Sequence, residues 1–518
     1  MINLSVIYVM KFYRKYVIAL ICILLFYAFS TDSFLSKLKS LSYLLRLVDN
    51  YYVEEVDLNQ IIDGAMHGLL EELDPHSQYI PAKDFELMQE SLVGEFEGIG
   101  IEFAILDGYI TVISPIPGTP SDKAGLVGGD KIIKINGESA YKIKQDEVFK
   151  KLRGPKNSSV IVTISRIGLE TPFDVELIRD KIPIHSIIAA FNYSDDIGYI
   201  KINRFAQNTF DELTEAIDSL ETTGMKKMIL DLRNNGGGLM DQAVAILDLF
   251  INSNDTLLFT KGRIYDANSV FYARRSKHDK KMPVNILINR ASASASEIVA
   301  GAFQDLDRGL VVGETSFGKG LVQKQFILDD GSAARITISR YYTPSGRQIQ
   351  RNFNEGVDEY YLNLASDNRE ANDSLRQTLP TFKTKSGRIV YGGGGITPDV
   401  YVPLEIDFTE DTQSILSNKN RLLFKYAHLI KNNYKQKTFS KFLNNIDNQK
   451  TEELSKFVDW LATLDGPLKV QREVIAEDWD YMYNRILSEI AKIHWGKDFS
   501  YYILLLNDKQ FQKSIENL

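Results

Sequence analysis

The chain has 518 residues, of which 44% are hydrophobic and 25% are charged, and its formal net charge is -8. This length allows two or three domains, and this composition is that of a globular protein and not of a disordered one. Acidic and basic residues are interleaved along the chain, so the sequence lacks the clustered basic charge of a nucleic-acid-binding protein and we expect no nucleic-acid partner.

The first thirty residues carry an export pattern. A basic stretch at residues 10–16 precedes an uninterrupted apolar run at residues 17–29, which is typical of a signal peptide. The run is shorter than the roughly 20 residues that span a bilayer, which favours cleavage over a retained anchor. We therefore assign residues 1–30 to a signal peptide or signal anchor. We expect a periplasmic or cell-envelope protein, associated with the inner membrane if this segment is retained.

The single cysteine, Cys22, lies inside this apolar run. Disulfides, thiol catalysis and cysteine metal sites are therefore excluded from the cleaved protein.

Two regions with different sequence patterns follow the export segment. Residues 31–92 have leucines at helical spacing and end in a turn motif at residues 73–80, which predicts an N-terminal helical region. Residues 93–180 consist of short β-like runs broken by glycine, with a hairpin signal at Asn136-Gly137. They predict a small β-rich domain with two short helices.

Strand-like and helix-like segments alternate through residues 181–406, which predicts a largely parallel sheet covered by helices. We interpret the polar residues 352–388 within it as a surface excursion. Residues 407–518 are polar and helical, and they contain all three tryptophans. We predict a helical C-terminal extension that packs through its aromatic side chains, with oligomerisation and partner binding as its alternative roles.

Three serines, at positions 292, 294 and 296, stand at alternate positions before a predicted helix. Ser294 is followed three residues later by Glu297, which is the spacing of a capping box. The local pattern therefore favours a helix start over a nucleophile, because capping serines are common. A nucleophilic serine needs in addition a general base and donors for an oxyanion.

The remaining sequence offers one candidate for each. The six histidines lie outside the alternating motifs and are interpreted as surface or packing residues. Lys319 lies between two glycines, and it becomes a base if burial lowers its pKa from the ordinary value of about 10.4. Gln323, four residues on, lies on the same side and can orient its amine. The glycine turn at Gly236 and Gly237 follows a strand and offers backbone N–H groups to an oxyanion.

In their order along the chain, the motifs at residues 73–80, 98–103, 231–239, 292–305 and 311–323 resemble those of the C-terminal processing peptidases, or tail-specific proteases. This family consists of serine endopeptidases with a Ser/Lys dyad and a PDZ domain. The resemblance spans roughly residues 35–405. It implies a crotonase- and ClpP-like α/β protease core at residues 181–406 with an inserted PDZ domain at residues 93–180.

The resemblance also assigns roles to single residues. It implies that Ser294 is the nucleophile, Lys319 its general base and Gln323 the residue that supports the lysine. It implies an oxyanion hole made by the N–H of Ala295 and by one N–H of the glycine turn, Gly236 or Gly237. The family's common Asn-Pro-Gly-Gly turn is here Asn-Gly-Gly-Gly, which keeps the turn and adds a backbone N–H.

In the PDZ domain, the resemblance places a carboxylate-binding loop at Gly98, Ile99, Gly100 and Ile101. The substrates implied are proteins or peptides with unstructured, apolar C-termini, whose last residues would add a strand to the PDZ sheet. Arg153 is a candidate sensor of an occupied PDZ domain. The resemblance implies no metal or organic cofactor, and it leaves a homo-oligomer or an adaptor open.

The main hypothesis is an exported endopeptidase that binds C-terminal tails and cleaves them through an acyl-enzyme. One alternative is a PDZ-bearing scaffold in which Ser294 is only a helix cap. Another is a crotonase-like acyl-group enzyme, which the PDZ domain and the export segment count against. In an active enzyme we expect the Ser294 Oγ to point towards Lys319. A Ser294 Oγ turned back to the Glu297 amide would indicate a cap or a resting state.

Overall fold

The computed structural model describes residues 33–166, 168–252, 254–274, 280–354, 356, 360–361, 377–404, 407–464, 468 and 470–518. The export segment predicted at residues 1–30 lies outside the described residues, as does much of the polar excursion predicted at residues 352–388. Of the helices within the described ranges, none is both long enough and apolar enough to cross a membrane.

The N-terminal region is helical, as the leucine spacing predicts, and its predicted turn at residues 73–80 contains a short strand. Its elements are α1 (33–51), α2 (Leu58–Glu71), β1 (Gln78–Ile80) and α3 (Ala82–Val93). Asp57 caps α2 by accepting the N–H of Asn59, and α3 ends at Gly94, whose φ of 85° is in the left-handed region that favours glycine. The Asp74 carboxylate turns the chain into β1 by accepting the N–H groups of His76 and Ser77.

The next unit is a small β domain with two helices. Its elements are β2 (Glu95–Gly98), β3 (Ile101–Leu106), β4 (Tyr109–Pro115), α4 (Pro120–Lys123), β5 (Lys131–Ile135), β6 (Glu138–Ser139), α5 (Gln145–Leu152), β7 (Ser159–Ser165), β8 (Phe173–Ile178) and β9 (Asp180–Pro183). The main sheet has the order β3-β4-β5-β7-β8, with β6 on β5, while β2 pairs with β9. Asn136 and Gly137 both have positive φ and close the hairpin between β5 and β6. Strand β3 lies at the edge of the main sheet, where a peptide strand can add.

The α/β unit that follows contains two sheets. Its elements are β10 (Ile187–Asn192), β11 (Ile197–Ile202), α6 (Thr209–Thr222), β12 (Lys227–Asp231), α7 (Met240–Phe250), β13 (Thr256–Gly262), β14 (Ser269–Tyr272), β15 (Val284–Ile288), α8 (Ala295–Asp305), β16 (Val311–Gly313), β17 (Leu321–Ile327), β18 (Ala333–Tyr342), β19 (Thr381–Lys383), β20 (Ile389–Tyr391) and β21 (Val400–Tyr401). The first sheet has the order β10-β11-β12-β15-β16-β21 and is parallel except for the β10–β11 pair. It matches the parallel sheet that the alternating pattern predicts, and helices α7 and α8 cover its core face.

The second sheet is antiparallel, and the sequence pattern does not predict it. Its order is β1-β18-β13-β14, with β17 paired to β18. Strand β1 joins it by pairing Tyr79 with Ala334, which brings the motif at residues 73–80 to β18. Because these partners are far apart in the sequence, hydrophobic periodicity cannot pair them.

The C-terminal extension is helical and has a hydrophobic core of its own. Its helices are α9 (Glu410–Leu416), α10 (Leu422–Ile430), α11 (Phe439–Leu443), α12 (Lys450–Ala462), α13 (Arg472–Glu477), α14 (Trp479–Trp495), α15 (Lys497–Leu506) and α16 (Lys509–Glu516). Phe457 and Trp479 lie in this core, as the prediction of aromatic packing requires. The extension also contacts both other units: Phe511 packs on the parallel sheet, and Phe424 packs on the outer face of β3 and β4 beside Leu106 and Ile113.

Candidate active site

Ser294 lies in the turn between β15 and α8, at the start of the helix, as the capping-box spacing predicts. Its φ of 56° and ψ of -113° are backbone values that residues other than glycine rarely adopt. Such a conformation costs on the order of 1–3 kcal/mol and persists where the surroundings fix it. Here Ala293 N–H and Ser296 Oγ both donate to the Asn235 carbonyl, at 3.0 and 2.9 Å. The serine turn is thereby fixed against the glycine turn.

Glu297 joins the serine turn to the lysine loop. Its carboxylate is fully buried and accepts the N–H groups of Ser294, Gly318 and Lys319 at 2.8, 2.7 and 2.9 Å, and the Ser316 hydroxyl at 2.6 Å. Burial raises the pKa of this carboxyl group, against the hydrogen bonds, which lower it. The sequence pattern indicates only the capping-box role of Glu297, and it does not reveal the contacts with residues 316–319.

The Ser294 hydroxyl and the Lys319 amine share a cavity but are not hydrogen-bonded to each other. The Ser294 side chain faces the Glu297 N–H in a capping-box arrangement, yet it makes no capping hydrogen bond. The Lys319 Nζ donates to the Gln323 Oε1 at 2.8 Å. This geometry is the one that the sequence analysis associates with a cap or a resting state, and not the aligned dyad.

Lys319 has the environment that a lysine base requires. Burial, aided by the positive charge of Arg335, lowers its pKa to about 8, although Glu297 and Asp74 act in the opposite direction. The flanking glycines let the loop lie against other backbone segments: a Cβ on Gly320 would lie 2.9 Å from the Gln350 N. The amine is therefore far easier to deprotonate than that of an exposed lysine.

Gln323, on β17, is held by the turn that precedes β1, whose residues the sequence pattern does not place in the site. Its Nε2 donates to the backbone carbonyl of His76. The His76 imidazole contacts the Tyr360 hydroxyl at 3.0 Å and the ring of Phe317. Burial lowers the pKa of His76 to about 4, with a contribution from Lys319. The only sequence signal for His76 is its place in the motif at residues 73–80.

The glycine turn faces Ser294 and supplies backbone donors. A Cβ on Gly237, whose φ is 94°, would lie 2.7 Å from the Ala293 O, 2.8 Å from the Ser294 Cβ and 2.9 Å from the Ala295 N. Only glycine fits there. The Gly237 N–H already donates to the Asn235 Oδ1 at 2.9 Å. Within the described residues, the N–H groups of Gly236 and Ala295 donate to no other group, so both are available to an oxyanion.

Ser292 and Ser296 hold the same turn from the serine side. The Ser292 Oγ donates to the Leu232 carbonyl at 2.8 Å, and the Ser296 Oγ donates to the Asn235 carbonyl. Both hydroxyls are fully buried and committed to backbone groups, which leaves Ser294 as the serine of this cluster with a free hydroxyl.

A charged cluster at the end of β12 supports the glycine turn. The buried Asp231 carboxylate accepts from the Arg233 Nη2 and the Tyr199 hydroxyl, both at 2.7 Å, and lies 3.2 Å from the Lys201 Nζ. Burial would raise the pKa of Asp231, but Arg233 and Lys201 hold it well below its ordinary value. Lys201 lies opposite Asp231 in the β11–β12 register and also donates to the Arg233 carbonyl at 3.0 Å, just before the turn.

The serine turn, the lysine loop and the glycine turn line a cavity of about 580 Å³. Ser294, Lys319 and Gln323 lie on one side, the glycine turn on another, and Met88, Gln89 and Leu92 of α3 close it from the N-terminal region. The ranges that the structure describes contain no group of three or more His, Cys, Asp or Glu side chains arranged to hold a metal ion.

Comparison with known proteins agrees with this geometry. Residues 196–360 match the model of peptidase family S41, residues 111–166 match a PDZ domain, and residues 28–84 match the N-terminal domain of the activating protease CtpB. A carboxy-terminal-processing protease of Bartonella bacilliformis is 40% identical over 307 residues, which are 58% of this chain and 70% of that protein. The chain therefore belongs to the carboxy-terminal processing proteases.

A second relative gives the same family. The carboxy-terminal processing protease CtpA of Bacillus subtilis is 35% identical over 317 residues, which are 61% of this chain and 67% of that protein. Among solved structures, a photosystem II D1 C-terminal processing protease is 26% identical over 72% of this chain and 88% of that chain, with a TM-score of 0.35. The protein is thus a serine-type peptidase with a PDZ domain, and a crotonase-like acyl-group enzyme is ruled out.

In this protease, Arg153 joins the PDZ domain to the catalytic cavity. It forms an ion pair with Glu90 of α3, and its guanidinium lies 4.6 and 5.0 Å from the ring centres of Phe96 and Phe149. Because α3 also lines the cavity, a change in the PDZ domain can reach the site through this helix. The sensor role of Arg153 itself stays a prediction.

The predicted carboxylate-binding loop connects β2 to β3 in the PDZ domain. Within the described residues, the N–H groups of Ile99 and Gly100 donate to no other group. Gly100 has a φ of 80°, and a Cβ there would lie 2.3 Å from the Thr119 Oγ1. The loop therefore requires glycine at this position, and it presents two free donors.

Proposed function

We propose that this protease is an exported endopeptidase that binds the C-terminal tails of unfolded proteins and cleaves them through an acyl-enzyme on Ser294. The observation that carries the proposal is the environment of Lys319. Its amine is buried, has a pKa of about 8 and is held by Gln323 in the cavity that Ser294 lines. A lysine base requires such burial, whereas a lysine that only stabilises a fold does not.

In this mechanism, the neutral Lys319 amine accepts the Ser294 proton as the Oγ attacks the scissile carbonyl carbon. The N–H groups of Ala295 and Gly236 stabilise the oxyanion. The Lys319 ammonium then gives its proton to the leaving amine, and the acyl group remains on Ser294. Water attacks this ester, Lys319 takes a proton from the water, and that proton returns to the Ser294 Oγ when the acid leaves.

The mechanism requires a small rearrangement of the structure described above. The Ser294 Oγ must rotate from the Glu297 N–H towards Lys319, and the Lys319 Nζ must turn part of the way from Gln323. The hydrogen bonds of the Glu297 carboxylate need not change, because three of its four donors are backbone groups. The described state is then a resting state that a bound substrate aligns.

Substrate capture is assigned to the PDZ domain. The free N–H groups of Ile99 and Gly100 would hold a terminal carboxylate, and the tail would pair with the edge strand β3. An apolar last residue would enter the pocket beside Ile101 and Phe103, which face the domain core. Arg153 would report occupancy by shifting α3 through its ion pair with Glu90.

One observation favours the alternative, a family member that binds tails and no longer cleaves them. The Ser294 side chain lies in the capping arrangement and makes no hydrogen bond to Lys319. A serine that acts only as a helix cap would have this orientation permanently.

The test is cleavage of an unfolded reporter with an apolar C-terminus by the full chain. We expect cleavage by the wild type, and none by Ser294→Ala or Lys319→Ala. Ser296→Ala and Ser292→Ala are controls that keep Ser294: the first loses one buried hydrogen bond and the second loses two, each worth about 1 kcal/mol. A reporter with an amidated C-terminus should be cut more slowly, because the amide lacks the carboxylate charge.

Two results would reject the proposal. Cleavage by Ser294→Ala at the wild-type rate would reject the dyad. A wild-type protein that binds the reporter and leaves it intact across the pH range would support the non-catalytic alternative. Export is tested separately, by cell fractionation with and without residues 1–30. The mass of the purified protein in solution tests whether it is an oligomer.

A further inference from the structure

Two residues of the C-terminal extension reach the base of the glycine turn. Asp508 is the N-cap of α16, and its Oδ1 accepts the Phe511 N–H at 3.0 Å. Its other oxygen, Oδ2, lies 2.7 Å from the Arg233 Nη1. The Gln510 Oε1 accepts from the same nitrogen at 3.0 Å. One guanidinium nitrogen is therefore held by two side chains of the extension.

The rest of the Arg233 guanidinium is committed to the core. Its Nε and Nη2 donate to Asp231 at 2.7–3.1 Å, and the side chain is only 11% exposed. Arg233 immediately precedes Asn234, where the turn begins with a φ of 59°. The Arg233 side chain thus lies between Asp231, at the end of β12, and α16 of the extension.

The charges of this cluster balance only if Asp508 is counted. Two cations, Lys201 and Arg233, face two anions, Asp231 and Asp508. Without Asp508 the cluster holds an excess positive charge in a largely buried position, which is costly. Lys201 would be the first of the two cations to lose its proton, since burial already lowers its pKa. This lysine donates to the Arg233 carbonyl, so Asp508 affects the turn through both cations.

The extension holds Asp508 rigidly. Phe511 is fully buried against the parallel sheet, with its ring centre 5.6 Å from that of Tyr199. The Gln510 Nε2 donates to the Val402 carbonyl and the Asn285 Nδ2 donates to the Ser514 carbonyl, at 2.9 and 3.0 Å. Helix α16 is thereby fixed to β15 and to the chain after β21. The Asp508–Arg233 pair therefore does not pay the ordering entropy that makes exposed ion pairs weak.

We propose that the C-terminal extension positions the catalytic turn, with Asp508 and Gln510 holding Arg233 and, through it, the backbone that presents the Gly236 N–H. The proposal rests on the oxyanion role that the proposed function gives to this turn. It assigns a function to an extension for which the sequence left packing, oligomerisation and partner binding open. Asp508 and Gln510 are positioning residues, because they act through Arg233 and touch no reacting atom.

Asp508→Asn in the full chain tests the proposal. Asparagine caps a helix about as well as aspartate, so α16 keeps its cap and only the charge is lost. We expect kcat for the reporter to fall about tenfold, because small displacements of oxyanion donors are costly. KM should stay within about twofold, since the PDZ domain is untouched. Asp480→Asn, a side chain of the same extension that is 75% exposed, should leave both constants unchanged.

A rescue variant separates positioning from folding. Gln510→Glu in the Asp508→Asn background returns a negative charge to the Arg233 Nη1 but gives up the bond to the Val402 carbonyl, so it should restore part of the lost kcat. If Asp508→Asn does not fold, Gln510→Asn takes its place: it keeps the Asp508 charge and withdraws the amide from Arg233, so kcat should fall at constant KM.

Three results would overturn the proposal: a kcat of Asp508→Asn within twofold of the wild type, a loss that Gln510→Glu does not restore, or an unchanged kcat of Gln510→Asn. The Ser294→Ala variant distinguishes this failure from failure of the dyad. If Ser294→Ala abolishes cleavage while Asp508→Asn is fully active, only the positioning role is rejected. If Ser294→Ala cleaves normally, the dyad itself is rejected.

Discussion

Two fully buried carboxylates support the catalytic cleft, and they do so in opposite ways. Glu297, beside Ser294, is surrounded by neutral donors, and burial raises its pKa. Asp231, beneath the glycine turn, is buried to the same degree, but Arg233 and Lys201 hold its pKa low. Burial alone therefore does not decide the behaviour of a carboxylate. The Ser294 side of the cleft is held by hydrogen bonds, and the glycine-turn side by paired charges.

The largest expected effect is on stability, and it comes from removing the negative charge of Asp231 from the buried charged cluster. Asp231→Asn leaves Arg233 and Lys201 without the anion they surround, and removal of one partner from a buried ion pair costs about 3–5 kcal/mol. We expect a loss of this size in the free energy of unfolding, measured with urea. Asp195→Asn, an exposed aspartate before β11, is the control and should change stability by less than about 0.5 kcal/mol. A loss below about 1 kcal/mol for Asp231→Asn would contradict the paired-charge account.

The two sides of the cleft meet at Gly237. Gly237→Ala would force a Cβ against the Ala293 O and the Ser294 Cβ at a positive φ, whereas a Cβ on Gly236 meets nothing within 4 Å. We expect kcat/KM to fall about 100-fold for Gly237→Ala, which is the effect of losing one oxyanion donor. Gly236→Ala should keep near wild-type activity. Equal activities of the two alanine variants would show that this contact does not set the cleft geometry.

The contribution of Glu297 to the free energy of unfolding should depend on pH differently from that of Asp231. Glu297→Gln places an amide NH₂ donor among groups that are themselves donors. The unpaired donor should lower the free energy of unfolding by about 1–3 kcal/mol at a pH of about 5. The raised pKa of Glu297 means that the folded protein binds its proton more tightly than the unfolded chain. Wild-type stability therefore falls as the pH rises above the ordinary value of 4.5. The gap in the free energy of unfolding between wild type and Glu297→Gln should narrow as the pH rises above about 5.

The corresponding gap for Asp231→Asn should stay constant over that range. The lowered pKa of Asp231 confers stability that is fully present above its ordinary value of 3.8 and is lost only in stronger acid. Urea unfolding of both variants at several pH values compares the two gaps. If both gaps stay constant or both narrow, the contrast between the carboxylates is wrong.

The smallest effect concerns the base. Because Lys319 must be neutral to act as a base, kcat/KM should rise with pH, with a midpoint near the Lys319 pKa of about 8. The positive charge of Arg335 lowers this pKa, so Arg335→Gln should shift the midpoint to higher pH. Arg340→Gln, on the exposed side of the same strand β18, should leave the midpoint where it is. A shift to lower pH for Arg335→Gln would contradict the assignment of Lys319.

The residues that the sequence predicts correctly are those that local patterns place. The start of α8 at Ser294, the glycine-flanked Lys319 and the hairpin at Asn136 all follow from spacing within a few residues. The pairing of Lys319 with Gln323 spans four residues along the chain, and it follows from the same kind of spacing.

What the sequence misses depends on contacts between distant segments. His76 meets Gln323 across 247 positions, and Gln510 meets Arg233 across 277. The antiparallel sheet that joins β1 to β18 is missed for the same reason, since hydrophobic periodicity reveals strands and not their partners. The orientation of the Ser294 hydroxyl is also beyond the sequence, because it depends on a side-chain rotation at a strained backbone position.

The most direct measurement of the central claim is to trap the acyl-enzyme. The full chain is mixed with the unfolded reporter, quenched in acid at short times and mapped by mass spectrometry. We predict a substrate-derived acyl group on Ser294, formed faster as the pH rises through about 8 and absent from Ser294→Ala. Cleavage without any adduct, or an adduct on Ser292 or Ser296, would contradict the Ser294–Lys319 dyad.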